Sequence, residues 1–219
     1  MTAPKITRRV GSVIGLRKEW EERYVILHRH TFPGVLDRIQ KSRIRNYSIF
    51  LRDGILFSHY EYIGKNERAD MRALAKDETT RQWWKLTDPM QRPLPSRPDG
   101  AWWSPAALAV VIDARNRHGA SVQRIAFTGR LRGNAAAGLS LLTAGLTSIA
   151  PLLREYRTDN LHLYGFKHTA YLYFEYAGTD YRRDLSRFVR QPETAVWKKT
   201  MRKALAEPFR DMREVFHSA

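Results

Sequence analysis

Cysteine is absent from all 219 residues, which excludes a disulfide framework and any thiolate-bound metal. Long apolar runs are scarce as well. The nearest approach is residues 135–153, which carry no charge but are interrupted by Gly138, Ser140, Thr143, Gly145, Thr147, Ser148 and Pro151. That dilution argues against a membrane span, and the segment is expected to form a helix buried broadly against its neighbour. Residues 1–15 contain Lys5, Arg8 and Arg9 but no apolar stretch long enough for a signal sequence. A cytoplasmic protein without a membrane partner is the expectation. His-Glu-x-x-His, the P-loop, Gly-x-Gly-x-x-Gly and Gly-x-Ser-x-Gly are all missing. His28-x-His30 has the look of a metal pair, but two residues apart on a helix project about 200° from each other, so no metal site is expected.

Acidic residues are in deficit, with 22 Asp and Glu against 38 Lys and Arg, a formal net charge of +16. The excess is +8 for residues 1–100 and +8 for residues 101–219, so it is spread and not gathered in a tail. Such a balance favours solubility and weak attraction to polyanions without specifying a partner. The RNA-recognition sheet motif needs a basic-glycine lead before its aromatics. Tyr171-Leu172-Tyr173-Phe174 lacks that lead, and nucleic acid is not the expected partner.

What the chain does have is an internal repeat. Asn46, Glu61, Tyr62, Gly64, Arg68, Asp70, Thr80, Trp83 and Lys85 recur 114 positions later as Asn160, Glu175, Tyr176, Gly178, Arg182, Asp184, Thr194, Trp197 and Lys199. The same offset turns Tyr24 into Gly138, His28 into Leu142, Tyr47 into Leu161 and Trp84 into Lys198. One copy keeps a polar and aromatic set that the other has lost. Repeats of this kind must be read before the fold, and they predict two units of about a hundred residues each, near the common domain size. The expected division is 1–118, holding the candidate site, and 119–219, a degenerate copy.

Patterning within each copy is consistent with that division. Residues 10–16 read as a strand, and 19–41 as a helix that Pro33 should kink or divide. Residues 46–51 and 55–62 read as a hairpin about Arg52-Asp53-Gly54. A helix over 67–85 should break near 77–80, and residues 107–113 read as another strand. The second copy repeats the order: strand 122–131, helix 134–157, hairpin 161–176 turning at Lys167-His168, a helix from Thr179, and a strand near 214–216. Strand, helix, strand, strand, helix, strand is the ferredoxin-like plan. Such a sheet leaves one face bare, and a second sheet is the simplest cover. The expected class is therefore α+β, two ferredoxin-like repeats packed as an intramolecular dimeric α+β barrel.

Tyr24 and His28 are spaced i, i+4, on one face of a helix. A phenol beside an imidazole can hold a hydroxylated ligand and exchange a proton with it near neutral pH. Trp83 and Trp84 are adjacent indoles pointing about 100° apart. Trp83, which recurs at Trp197, fits a core role, and Trp84 is the better ligand contact.

Tyr24-x-x-x-His28, Phe32-Pro33, Asn46-Tyr47-x-Ile49 and Gln82-Trp83-Trp84-Lys85, with Asp88 and Met90 close behind, together resemble the L-rhamnose mutarotase family. The resemblance runs from about Arg8 to Asp113 and includes Trp103-Ser104-Pro105, and Met212-Arg213-Glu214-Val215-Phe216-His217 is similar to the family's closing strand. It implies a dimeric α+β barrel that interconverts the α and β anomers of a deoxy-hexopyranose, with no cofactor and no metal. It further implies His28 as the general acid and Tyr24, Tyr47, Trp83 and Trp84 as the walls of a sugar site. The companion base is left open between Tyr24, a carboxylate such as Asp88, and water. Oligomeric state is left open too, between a monomeric pseudo-dimer and a homodimer. The competing expectations are a related isomerase or cyclase acting on another small metabolite, and a non-catalytic binding protein with the same fold.

Overall fold

The computed structural model describes residues 5–113 and 122–219, and the expected division between 118 and 119 lies outside the described residues. Strands and helices follow in the order β1 Arg8–Leu16, α1 Glu21–Arg29, α2 Pro33–Lys41, β2 Ile44–Arg52, β3 Ile55–Tyr62, α3 Glu67–Lys76, α4 Glu78–Thr87, β4 Gln91–Arg92 and β5 Ser104–Ile112. They continue as β6 Gln123–Arg130, α5 Ala135–Ser148, α6 Ala150–Glu155, β7 Thr158–Phe166, β8 Thr169–Tyr176, α7 Tyr181–Phe188, α8 Thr194–Ala204 and β9 Arg210–Ser218. The class is α+β. By contacts the chain forms two compact units, Met1–Ala106 with Arg213–Ala219, and Ala107–Met212.

In the first unit β1 is central, antiparallel to β3 over its whole length and to residues 104–106 of β5 on its other side. β2 pairs with β3, and residues 213–218 of β9 pair with β2. In the second unit β6 pairs with β8 and with residues 210–212 of β9, β8 pairs with β7, and β7 pairs with residues 107–112 of β5. Each unit thus has its first and third strands side by side, the interleaved order of the ferredoxin-like plan.

Local chemistry accounts for the breaks. Pro33 stands at the start of α2, where its missing N–H costs nothing, so the expected single helix over 19–41 is two. Asp77 separates α3 from α4 and caps the latter, its carboxylate accepting from the Thr80 amide at 2.8 Å and from Thr80 Oγ1 at 2.9 Å. In the second unit Asn134 caps α5, accepting from Ala137 N at 3.0 Å. Pro151 lies in the first turn of α6, and α5 stops at Ser148.

The burial of α5 differs from expectation. The helix buries a stripe, Gly138, Leu142, Gly145 and Leu146, while Leu141 on its far side stays 37% exposed. The stripe is narrow because α5 approaches α8 closely: a Cβ placed on Gly145 would stand 2.2 Å from Thr200 Oγ1. Small residues are there for helix contact. Among the described residues, no helix is long and apolar enough to cross a membrane.

Several of the recurring residues sit in the same local geometry in both units. Tyr62 Oη donates to Asp70 Oδ2 at 2.5 Å, and Tyr176 Oη donates to Asp184 Oδ2 at 2.6 Å. Gly64 and Gly178 pass so close to these phenols that a Cβ would meet the hydroxyl at 2.2 Å and 2.0 Å respectively. Asn46 and Asn160 both adopt left-handed backbone, with φ of 50° and 49°, at the bulges of β2 and β7.

Candidate active site

The bulge in β2 decides which side chains face the first unit's helices. Ile44, Tyr47 and Ile49 all line one cavity, although residues three apart lie on opposite faces of a regular strand. The register shift between Arg45 and Ser48, with Asn46 in left-handed backbone, absorbs the extra residue and returns Tyr47 to the inner face. Asn tolerates that conformation better than most side chains.

From the other side, α1 presents Tyr24 and His28 and α4 presents the two indoles. All five expected site residues, Tyr24, His28, Tyr47, Trp83 and Trp84, line this cavity of about 410 Å³. The Tyr24 and His28 rings stack with centroids 3.9 Å apart. The imidazole meets the edge of Trp83 at 5.1 Å and of Phe216 at 5.8 Å, and Tyr47 packs against Phe216 at 5.3 Å and Tyr60 at 5.7 Å. The divergence of adjacent indoles separates the pair: Trp83 is 6% exposed and Trp84 36%. Trp83 is core as well as wall, and Trp84 stands at the rim.

Hydrogen bonding fixes the tautomer of His28. Its Nδ1 lies 2.9 Å from the backbone oxygen of Tyr24. A carbonyl only accepts, so Nδ1 carries the proton and Nε2 keeps its lone pair. Burial lowers the pKa of His28 to about 4, against the partial opposition of the Tyr24 carbonyl. At neutral pH the cavity therefore contains a neutral imidazole that can accept a proton through Nε2.

The Tyr24 hydroxyl is oriented by a short relay. Trp102 Nε1 donates to Gln91 Oε1 at 2.6 Å, which turns the amide so that Gln91 Nε2 donates to Tyr24 Oη at 3.2 Å. The phenol, already accepting, keeps its own hydrogen for a ligand. Burial, and then Tyr47, raise its pKa well above the ordinary tyrosine value, against the opposing Gln91 hydrogen bond, so it is a lasting donor. Burial pushes Tyr47 up to about 12. Asp88, partly buried on the same wall, has its carboxyl raised by desolvation.

Gln91 and Trp102 were not among the expected site residues. Both belong to the irregular stretch around Pro93, Pro95 and Pro98, where composition signals a connection and no face. The pairing of β4 with β1, Leu16 opposite Gln91, is what holds Gln91 at the site. Replacing Gln91 with Leu would leave Trp102 Nε1 without its acceptor and Tyr24 without its orienting donor. A loss of about tenfold in turnover, with little change in ligand affinity, is expected from lost positioning, and steady-state kinetics would show it. Among the described residues, no group of three or more His, Asp or Glu could hold a metal ion.

A sequence model of the L-rhamnose mutarotase family matches residues 9–108. An L-rhamnose mutarotase of Lactiplantibacillus plantarum (strain ATCC BAA-793 / NCIMB 8826 / WCFS1) is 28% identical over 82 residues, covering 37% of this chain and 78% of that protein. In fold, the chain is similar to the crystal structure of a putative monooxygenase from Lactobacillus acidophilus NCFM, with a TM-score of 0.59 at 5% identity over 96% of each chain. It is likewise similar to a putative monooxygenase from Fusobacterium nucleatum subsp. nucleatum ATCC 25586, with a TM-score of 0.57 at 10% identity over 100% of this chain and 95% of that one. At such identities these two likenesses concern architecture alone. The family model's match covers the segment that supplies most of the cavity of Tyr24 and His28, and over residues 9–108 this chain is similar to the L-rhamnose mutarotase family.

Proposed function

We propose that the first unit is an aldose mutarotase that interconverts the α and β anomers of a deoxy-hexopyranose, L-rhamnose or a close relative. The observation that carries this reading is the unprotonated Nε2 of His28 beside the donor hydroxyl of Tyr24 in one cavity. The family model's match to the segment supports an isomerase of this general kind.

In the proposed reaction, His28 Nε2 takes the proton of the anomeric hydroxyl. The C1–O5 bond breaks with its electron pair going to the ring oxygen, and C1 becomes the aldehyde carbon. A second proton reaches the ring oxygen, and Asp88 is the wall group placed to carry it, directly or through water. Rotation about C1–C2 and reclosure on the other face reverse these transfers, so His28, now an imidazolium, is the acid of the return step. Tyr24 and Tyr47 hydrogen-bond the sugar hydroxyls, and the Trp84 face covers its C–H side. The second unit, with Gly138, Leu142 and Leu161 at the corresponding positions, has no such reaction to perform. Duplication of one unit, with a division near 118 and 119, belongs to the same proposal.

Removing the Trp84 face should weaken sugar binding about tenfold in Trp84→Ala with turnover at saturation changed less, a split that KM and kcat report. Saturation-transfer NMR of anomeric exchange over a panel of aldoses tests the assignment. Acceleration for one deoxy-hexose is the expected result.

One observation favours a second reading. A volume of about 410 Å³ exceeds what a single pyranose needs, and much of the wall is aliphatic or aromatic. An isomerase or cyclase acting on a larger, less polar metabolite would suit that space. No acceleration for any sugar, together with turnover of a bulkier cyclic carbonyl compound, would select it, and affinity without turnover would indicate a binding protein.

A further inference from the structure

The second unit encloses a cavity of its own, about 270 Å³, at the positions that the offset of 114 assigns to the first. Tyr47 of the first cavity becomes Leu161, Tyr60 becomes Phe174 and Thr87 becomes Met201, while Trp83 recurs as Trp197; all eight line their respective cavities. The bulge is kept too, with Asn160 in left-handed backbone and the register shifted between Asp159 and His162. What changed is the chemistry of the wall, because each of those three hydroxyl-bearing residues gave way to an apolar one.

Few polar atoms remain, and Trp197 Nε1 among them is a buried donor without a partner. Tyr176 Oη donates to Asp184 Oδ2 at 2.6 Å, and Tyr156 Oη accepts from Gln191 Nε2 at 2.6 Å. Aromatic edges frame the space, with Tyr156 on Phe188 at 5.5 Å and Phe188 on Trp197 at 5.6 Å. A sugar placed here would find at most a lone donor or two for its many hydroxyls, and a charged ligand would lose its hydration for nothing. A residue set freed from function drifts in either direction, towards polar as readily as apolar, and larger side chains close the space. This one has turned apolar at all three hydroxyl-bearing positions, against one change in the other sense, Ile44 to Thr158, and has stayed open.

We propose that the second unit is a binding site for an uncharged, predominantly apolar small molecule, aromatic or short-chain aliphatic. Since an apolar cavity of ~150 Å³ takes benzene, this one suits about ten non-hydrogen atoms. The proposal does not rest on the mutarotase reading, and the probes below are not sugars, so either can fail alone.

Indole and n-octanol, each titrated into the full chain by calorimetry and ligand-observed NMR, test it. Binding with Kd of about 0.1–1 mM is expected for ligands of this size. It should weaken about tenfold or more in the cavity-filling variants Leu161→Phe and Leu146→Phe, and stay unchanged in His28→Ala, whose lesion is in the first cavity. Intermolecular NOEs from bound n-octanol to the rings of Phe174 and Trp197 locate the probe in the wild-type chain, so the outcome holds even where a filled variant does not fold. Absence of binding by both probes, or NOEs that run to Trp83 and Tyr47 instead, would overturn the proposal.

Discussion

Anomer exchange catalysed by this chain is expected to fall as the pH drops from 5 towards about 4, the value to which burial lowers His28. The sign follows from the tautomer. Nδ1 is committed to the Tyr24 carbonyl, so the working atom is Nε2 and the working form is neutral; acid removes it. A histidine that began the cycle as a proton donor would give the opposite profile, with a rate that declines as the pH rises above 4. Replacing His28 with Gln keeps a polar side chain but no proton carrier, and should cost about 10²- to 10⁴-fold in rate. Stability moves with the same group. Its folded pKa lies below the unfolded value of 6.5, so the contribution is complete above pH 6.5 and is lost as the pH falls towards 4. His59, which burial, then Arg9 and His217, lower to about 3, adds to that loss in the same direction. Circular dichroism alongside the rate measurement separates titration of the site from acid unfolding.

Gly64→Ala should be the most damaging single-methyl addition in the first unit. Its Cβ would fall 2.2 Å from Tyr62 Oη and 2.4 Å from Tyr62 Cζ. The phenol has little room to move, because it donates to Asp70 at 2.5 Å and accepts from the Asn66 amide at 3.1 Å. Relieving the contact means breaking that pair and shifting a buried ring, so a loss of about 2–3 kcal/mol is expected. The same addition at Gly178, 2.0 Å from Tyr176 Oη, should have a similar effect on the second unit. Denaturant unfolding measures both. A loss below about 0.5 kcal/mol, the size of an ordinary surface change, would contradict the account of why these glycines recur.

That account also marks what was legible in the sequence. The recurrence of Tyr62, Gly64 and Asp70 as Tyr176, Gly178 and Asp184 is visible by inspection, but its cause, a phenol locked over a glycine, needs coordinates. Hairpins were readable because strand patterning and the Arg52-Asp53-Gly54 turn agree. The i, i+4 spacing of Tyr24 and His28 fixed their common face in advance, and the divergence of adjacent indoles separated Trp83 from Trp84. Gln91 and Trp102 were not readable, since their roles depend on a two-residue strand and a side-chain relay within a proline-rich stretch. The neutral state of His28 was hidden too: an imidazole on a helix reads as a titrating group until its burial and its carbonyl partner are known. In the second unit, lost polar residues read as lost function, because sequence alone does not report whether the space they lined has closed.

The most direct test of the central claim, that the cavity of Tyr24 and His28 performs ring opening and closing, is saturation-transfer NMR of L-rhamnose with the full chain and with His28→Ala, rate and affinity being taken from the same samples. The account predicts exchange well above the spontaneous rate in the wild type, and exchange at the spontaneous rate in the variant with sugar affinity nearly unchanged. Equal acceleration by both proteins would contradict it.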